Sequence, residues 1–154
     1  MKGIRVLVAM VAHIVSFASY AADISKIFAP APGVVAEVEI RGSDLVWMLS
    51  GEGGVRRGRV NVDAEKPLNI KIGSYDFSGR LGFLVSHVDD GMGVYEIGRV
   101  FTFSPSSNEF VERFPACGDE FVNINVSKRG RYLVSTYWKR GVPKRCITRL
   151  KIEK

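Results

Sequence analysis

Leu68-Asn69-Ile70-Lys71-Ile72 sets three apolar side chains against two polar ones in strict alternation. In an extended chain successive side chains point to opposite faces, so a period of two describes a strand with one buried and one wet face. The same signature recurs on both sides of it. Upstream, residues 34–40 set Val38 and Ile40 against Glu37 and Glu39. Residues 45–49 are a short apolar run, Gly51-Glu52-Gly53-Gly54 is a turn, and residues 55–62 set Val60 and Val62 against Arg59 and Asn61. Downstream, strands are expected at 82–88, at 94–103 with Tyr95, Ile97 and Val100 inward, and at 109–114, 121–126, 131–138 and 145–152. Polar and glycine-rich stretches separate them, among them Asp89 to Gly93, Ser104 to Asn108, 128–130 and 139–144. Ala29-Pro30-Ala31-Pro32-Gly33 reads as an irregular or extended lead-in. Nowhere do apolar residues hold a 3.6-residue period for three turns. With sixteen glycines and many β-branched and aromatic residues, the chain is expected to be all-β. The expectation is about ten mostly antiparallel strands in a meander, as a barrel, a sandwich or propeller-like blades.

The beginning of the chain carries a different signal. Lys2 and Arg5 precede an apolar run over residues 6–17, and Ser19-Tyr20-Ala21 supplies small residues where a signal peptidase cuts. Residues 1–21 are therefore expected to be a signal peptide for the Sec pathway, and 22–154 one exported, periplasmic β-rich domain. The run is shorter than the ~20 apolar residues of a membrane span. Removing Lys2 and Arg5 lowers the formal net charge from +6 to +4. That is mild for 133 residues and does not suit a nucleic-acid binder. The basic residues between 128 and 149 form a solvated face or a surface for an acidic partner. Two cysteines remain, Cys117 and Cys146, and in an exported chain an even pair reads as a disulfide.

Catalytic constellations are hard to find. His87 is the one histidine beyond the signal, so a Ser/His/Asp arrangement or a His-based metal site has no material. Asp89 and Asp90 are adjacent on a strand end and point apart, which makes a poor glycosidase pair; Asp76, Asp119 and Glu120 are scattered. A non-enzyme is expected. Ser74, Asp76 and Ser78, followed by Gly79, have the spacing that opens a calcium loop, but one carboxylate is too little charge for tight binding. No cofactor is expected, with calcium the only candidate.

From residue 74 onward the chain resembles periplasmic β-propeller-like proteins with FG-GAP-type repeats. In particular it resembles the bacterial inhibitors, or immunity proteins, that oppose peptidoglycan-degrading enzymes of antibacterial secretion systems. The resemblance rests on four features in order. These are the turn Ser74-Tyr75-Asp76-Phe77-Ser78-Gly79 with the strand after it, the loop Asp90-Gly91-Met92-Gly93 leading into Tyr95, the aromatic hairpin over residues 101–110, and the aromatic strands around Tyr132, Tyr137 and Trp138. The turn lacks some of the usual acids, so metal binding does not carry over. The resemblance implies a toxin-neutralising protein that blocks a cell-wall hydrolase, an amidase effector or a lysozyme-like muramidase, one to one, by inserting a loop into its cleft. The basic balance favours an amidase or another neutral-to-acidic target over a cationic lysozyme.

Asp89, Asp90, Gly91, Met92 and Gly93, with Tyr95, are the first candidate for that loop. Ser104, Ser106, Ser107 and Asn108 are the second. Tyr137, Trp138 and Arg140 are residue types that anchor interfaces. The alternative is a periplasmic calcium- or glycan-binding β-module with no hydrolase partner.

Overall fold

A computed structural model describes residues 24–65 and 67–153; the expected signal segment lies outside them. Among the described residues there are eleven strands and no helix. The first four, β1 (Ser25–Ala31), β2 (Val34–Arg41), β3 (Asp44–Gly51) and β4 (Gly54–Asn61), form an antiparallel meander in that order. Two-residue turns join them, since Ala31 pairs Val34, Arg41 pairs Asp44 and Gly51 pairs Gly54.

The second sheet contains β5 (Asn69–Gly73), β6 (Gly82–Val88), β7 (Glu96–Ser104), β8 (Glu109–Arg113), β9 (Phe121–Ser127), β10 (Tyr132–Lys139) and β11 (Val142–Thr148). Its order is β11-β10-β9-β7-β6-β5, with β8 also paired to β7. The all-β antiparallel expectation holds.

One segment takes the extended form of its reading and another differs from it. The lead-in is extended over 29–31 and goes further, pairing as part of β1, which is an edge strand and needs only the hydrogen bonds that face β2. Proline is tolerated at such an edge, and the ladder is irregular between Phe28 and Ala31, where Pro30 sits. At the other end, β11 begins at Val142 rather than 145: Pro143 lies on the outer edge and pairs Trp138 across a two-residue turn.

The core lies between the two sheets. Ala36, Val38 and Ile40 of β2 and Leu45, Trp47 and Leu49 of β3 face Phe83 and Val85 of β6, Phe101 and Phe103 of β7, and Phe110 of β8. The Phe110 ring touches those of Phe28, Trp47, Phe83 and Phe103 at centroid distances of 4.9 to 6.1 Å. Trp47 fits because its partner across the ladder is Gly58; a methyl group there would lie 2.2 Å from the indole. A second cluster, with Tyr75, Leu84, Val100, Phe121 and Leu133, packs on the far face of the second sheet. Central β6 and β7 are thus covered on both faces, which is why their burial loses the alternation that β2 and β3 keep.

One strand changes neighbours along its length. The start of β7 pairs β9 through Ile97 with Val122 and Gly98 with Phe121. The rest pairs β8, from Val100 with Arg113 to Ser104 with Glu109. On that edge Arg99 has no cross-strand partner, and the sheet forks there. On the opposite side of the fork, residues 149–153 leave β11 and cross the molecule. The Glu153 carbonyl accepts from Arg80 Nη2 at 2.5 Å and its carboxylate accepts from Arg113 Nη2 at 2.6 Å. The Ser104 hydroxyl and then Arg113 hold the Glu153 carboxyl below its ordinary range.

Candidate functional site

The loop from Asp89 to Tyr95 is built around one carboxylate. Asp89 Oδ1 accepts from the Tyr95 N–H at 2.6 Å and Oδ2 from the Gly93 N–H at 3.3 Å, while the Asp89 N–H donates to the Tyr95 carbonyl at 2.8 Å. The Tyr95 N–H above all holds the Asp89 carboxyl below its ordinary range. Asp90 Oδ1 accepts from the Glu65 N–H at 3.0 Å and ties the loop to the segment after β4. Both acids therefore organise the loop, and what projects from it is apolar: Met92 is 89% exposed and Val94 58%.

Tyr95, expected to point inward, stands 39% exposed, because it caps the sheet edge instead of entering the core. Its ring meets Trp138 of β10 edge to face at 5.0 Å. The first loop candidate and the aromatic interface candidates thus share one surface. Tyr137 backs that surface against Gly118. Arg140 is a turn residue: Arg140 and Gly141 have φ of 54° and 74°, the left-handed pair that closes a two-residue hairpin between β10 and β11.

Ser104 to Asn108 lies elsewhere. It follows the end of β7 while the first loop precedes its start, and eight strand steps separate the two by about 26 Å. Ser104 is buried with its Oγ 3.1 Å from Ser106 Oγ, Ser106 and Ser107 are exposed, and Asn108 closes the turn at φ 51°. The 74–79 turn is self-contained as well. Asp76 Oδ1 accepts from the Ser78 N–H at 3.0 Å and its hydroxyl at 2.7 Å, and Asp76 Oδ2 lies 3.8 Å from Arg80 Nη2. A guanidinium stands where a calcium loop would offer carboxylates. Among the described residues no three His, Cys, Asp or Glu side chains gather as a metal site.

The fork at Arg99 opens a cleft of about 320 Å³. Val85, Ile97 and Phe121, the first and last almost fully buried, are among the apolar residues around it. Its wall is the bidentate pair of Arg99 with Glu112, at 2.6 and 2.7 Å, and Arg99 Nη1 also donates to the Asn61 carbonyl at 2.8 Å. His87 lines it with Nδ1 facing the Val88 carbonyl at 2.9 Å, and Asp63, Asp119 and Glu120 stand at the rim. The loop bearing Asp119 and Glu120 is fixed at its root. Cys117 and Cys146 form the expected disulfide, and the Ala116 N–H donates to Thr148 Oγ1 at 2.9 Å.

Read along the chain, Asp119, Glu120 and His87 look unrelated. Only the exchange of β7's neighbours brings them together, and no local pattern announces that. Compared with known proteins, the chain matches no family, no curated relative and no solved structure.

Proposed function

We propose that this protein is a periplasmic inhibitor that binds a peptidoglycan hydrolase one to one and obstructs its cleft with the Asp89–Tyr95 loop. The observation that carries this reading is the exposed apolar tip of that loop beside the Tyr95–Trp138 pair, on a loop whose own carboxylates lock its base. A projecting segment that is already ordered loses little entropy on docking, so its contacts translate into affinity. Exposed Met and aromatic side chains are the residue types that carry binding energy at interfaces. The sequence resemblance to hydrolase inhibitors and the expected export signal point to the same compartment and partner class.

The test is capture and inhibition. The tagged protein, expressed with its own first 21 residues, is isolated from the periplasm with whatever it holds, and purified amidase and muramidase are assayed with it. A one-to-one complex and loss of hydrolysis are expected, with Met92→Glu or Trp138→Ala weakening binding about 10–100-fold, as for interface anchors. No complex with any cell-wall hydrolase, and no protection of cells exporting one, overturns the proposal. The glycan-binding alternative draws on the same exposed Trp138, whose face suits a sugar ring. It predicts oligosaccharide binding that is lost in Trp138→Ala without any hydrolase partner.

A further inference from the structure

The groups that grip Glu153 are each held in place by something other than Glu153. Arg113 Nε donates to Thr102 Oγ1 at 2.7 Å, which aims Nη2 at the Glu153 carboxylate 2.6 Å away. Ser104 Oγ bonds the same carboxylate and has Ser106 Oγ beside it at 3.1 Å. Arg80 Nη2 lies 3.8 Å from Asp76 Oδ2, and Asp76 is itself fixed by Ser78. Thr102 and Ser104 are 2% exposed and Asp76 4%, so this is a built receptor and not a surface pair.

Its charges show what it must contain. Arg80 has Asp76, but among the described residues the one acid paired with Arg113 is Glu153. Without that acid a largely buried guanidinium would keep only the Thr102 hydroxyl, and an unpaired buried charge is costly. The acid that fills the receptor leaves part of it unused. Arg80 Nη2 takes the Glu153 carbonyl, while Arg80 Nε is buried with no hydrogen-bond partner. A ligand that also met Nε would recover the cost of that idle donor. The present occupant is lightly held as well. Among the described residues no backbone-to-backbone hydrogen bond joins 149–153 to another segment. Arg149 stacks over Tyr132 at 5.2 Å and Leu150 lies on the second core cluster, but Lys151 and Ile152 are exposed.

We infer that Arg80, Thr102, Ser104 and Arg113 form a binding site for an acidic residue on an extended segment of a partner protein, and that residues 149–153 are its resident, displaceable occupant. The strap displays the ligand pattern: an apolar residue on the second cluster, then an acid three positions on in the receptor. A tethered occupant competes as if present at about millimolar concentration, so weak ligands are shut out and a better-fitted acidic segment enters. The site lies at the end of β7, whereas the Asp89–Tyr95 loop precedes its start. The two can be filled together, and the inference draws nothing from the inhibitor reading.

The test uses the full chain with Glu153→Ala, which empties the receptor and leaves its walls. The probe is residues 150–153 as a blocked peptide, with a second peptide carrying glutamine in place of the glutamate. Each is titrated into isotopically labelled protein and followed by amide shifts. Saturable shifts at Thr102, Ser104 and Arg113 are expected with the glutamate peptide, and binding about tenfold or more weaker with the glutamine one. The unaltered protein should bind the glutamate peptide about tenfold or more weakly than the variant, because its own strap competes. Equal binding of the two peptides, equal binding by variant and unaltered protein, or no saturable shift would each overturn the proposal. Should Glu153→Ala not fold, the isosteric Glu153→Gln takes its place; failure of both to fold would make Glu153 a fixed strut and overturn it too.

Discussion

Gly58 illustrates how a single absent side chain decides packing. The largest core residue of the first sheet, Trp47, lies flat over its backbone, at a distance a Cβ cannot share. Backbone on a neighbouring strand cannot yield as a flexible side chain does, so Gly58→Ala should displace the indole from its edge contact with Phe110. The expected cost is about 1–3 kcal/mol, the range of core overpacking. Urea unfolding followed by tryptophan fluorescence would measure it, and an unchanged midpoint would show that the ring has room to move. Arg99 is the second residue whose position matters more than its type suggests. It sits where β7 changes neighbours, stacks over Phe101 at 5.8 Å and binds Glu112, so it closes a gap in a sheet with a charge pair instead of a strand.

Among the elements, the Asp89–Tyr95 loop depends on ionisation. Its Asp89 carboxyl, like those of Glu96 and Glu153, is held below the ordinary range by groups that bond the charged form. A depressed carboxyl contributes stability above its unfolded pKa, and that contribution is lost as pH falls through the folded value. The loop should therefore keep its order at neutral pH and lose it as pH falls below about 4. Amide exchange at Gly93 and Tyr95 would report this, and Asp89→Asn should flatten the dependence; equal protection at pH 6 and about pH 2 would sink the idea.

The strands that sequence made plainest are those with one wet face. Val38 and Ile40 against Glu37 and Glu39, and Ile70 against Lys71, alternate because water lies on one side only. Proline concealed β1 and the start of β11: a missing N–H signals a break unless one knows that the strand is at an edge, and edge status is a tertiary fact. The loop at Asp89 was legible from its glycines and acids, but the inward role of those acids was not. A carboxylate looks the same in sequence whether it caps backbone amides or awaits a partner.

At the scale of the molecule, two sheets share one aromatic core and a single covalent cross-link ties the segment between β8 and β9 to β11. The closed loop spans 29 residues, and its constraint on the unfolded chain corresponds to roughly 3–4 kcal/mol. Cys117→Ser/Cys146→Ser should lose about that much in denaturant unfolding, with the segment between β8 and β9 loosening first; retained stability would place that segment's rigidity in its hydrogen bonds alone. The fork cleft shows the limit of reading along the chain. Alternation tells which face a residue takes, but not which strand lies beside it. His87, Arg99, Glu112 and Glu120 become neighbours only through the pairing of β7 with both β8 and β9.

Every strand pairing but that of β7 with β9 joins strands adjacent in sequence, so hairpins can form in order as a chain emerges. The clasp at Glu153 follows another clock. Arg80 and Arg113 bind it across 73 and 40 residues, and on a chain delivered from one end Arg80 has only Asp76 and Arg113 only Thr102 until residue 153 arrives. A polypeptide halted just short of that point would own all eleven strands and still have an open seam beside Thr102 and Ser104, where a quality-control protease could tell unfinished molecules from finished ones.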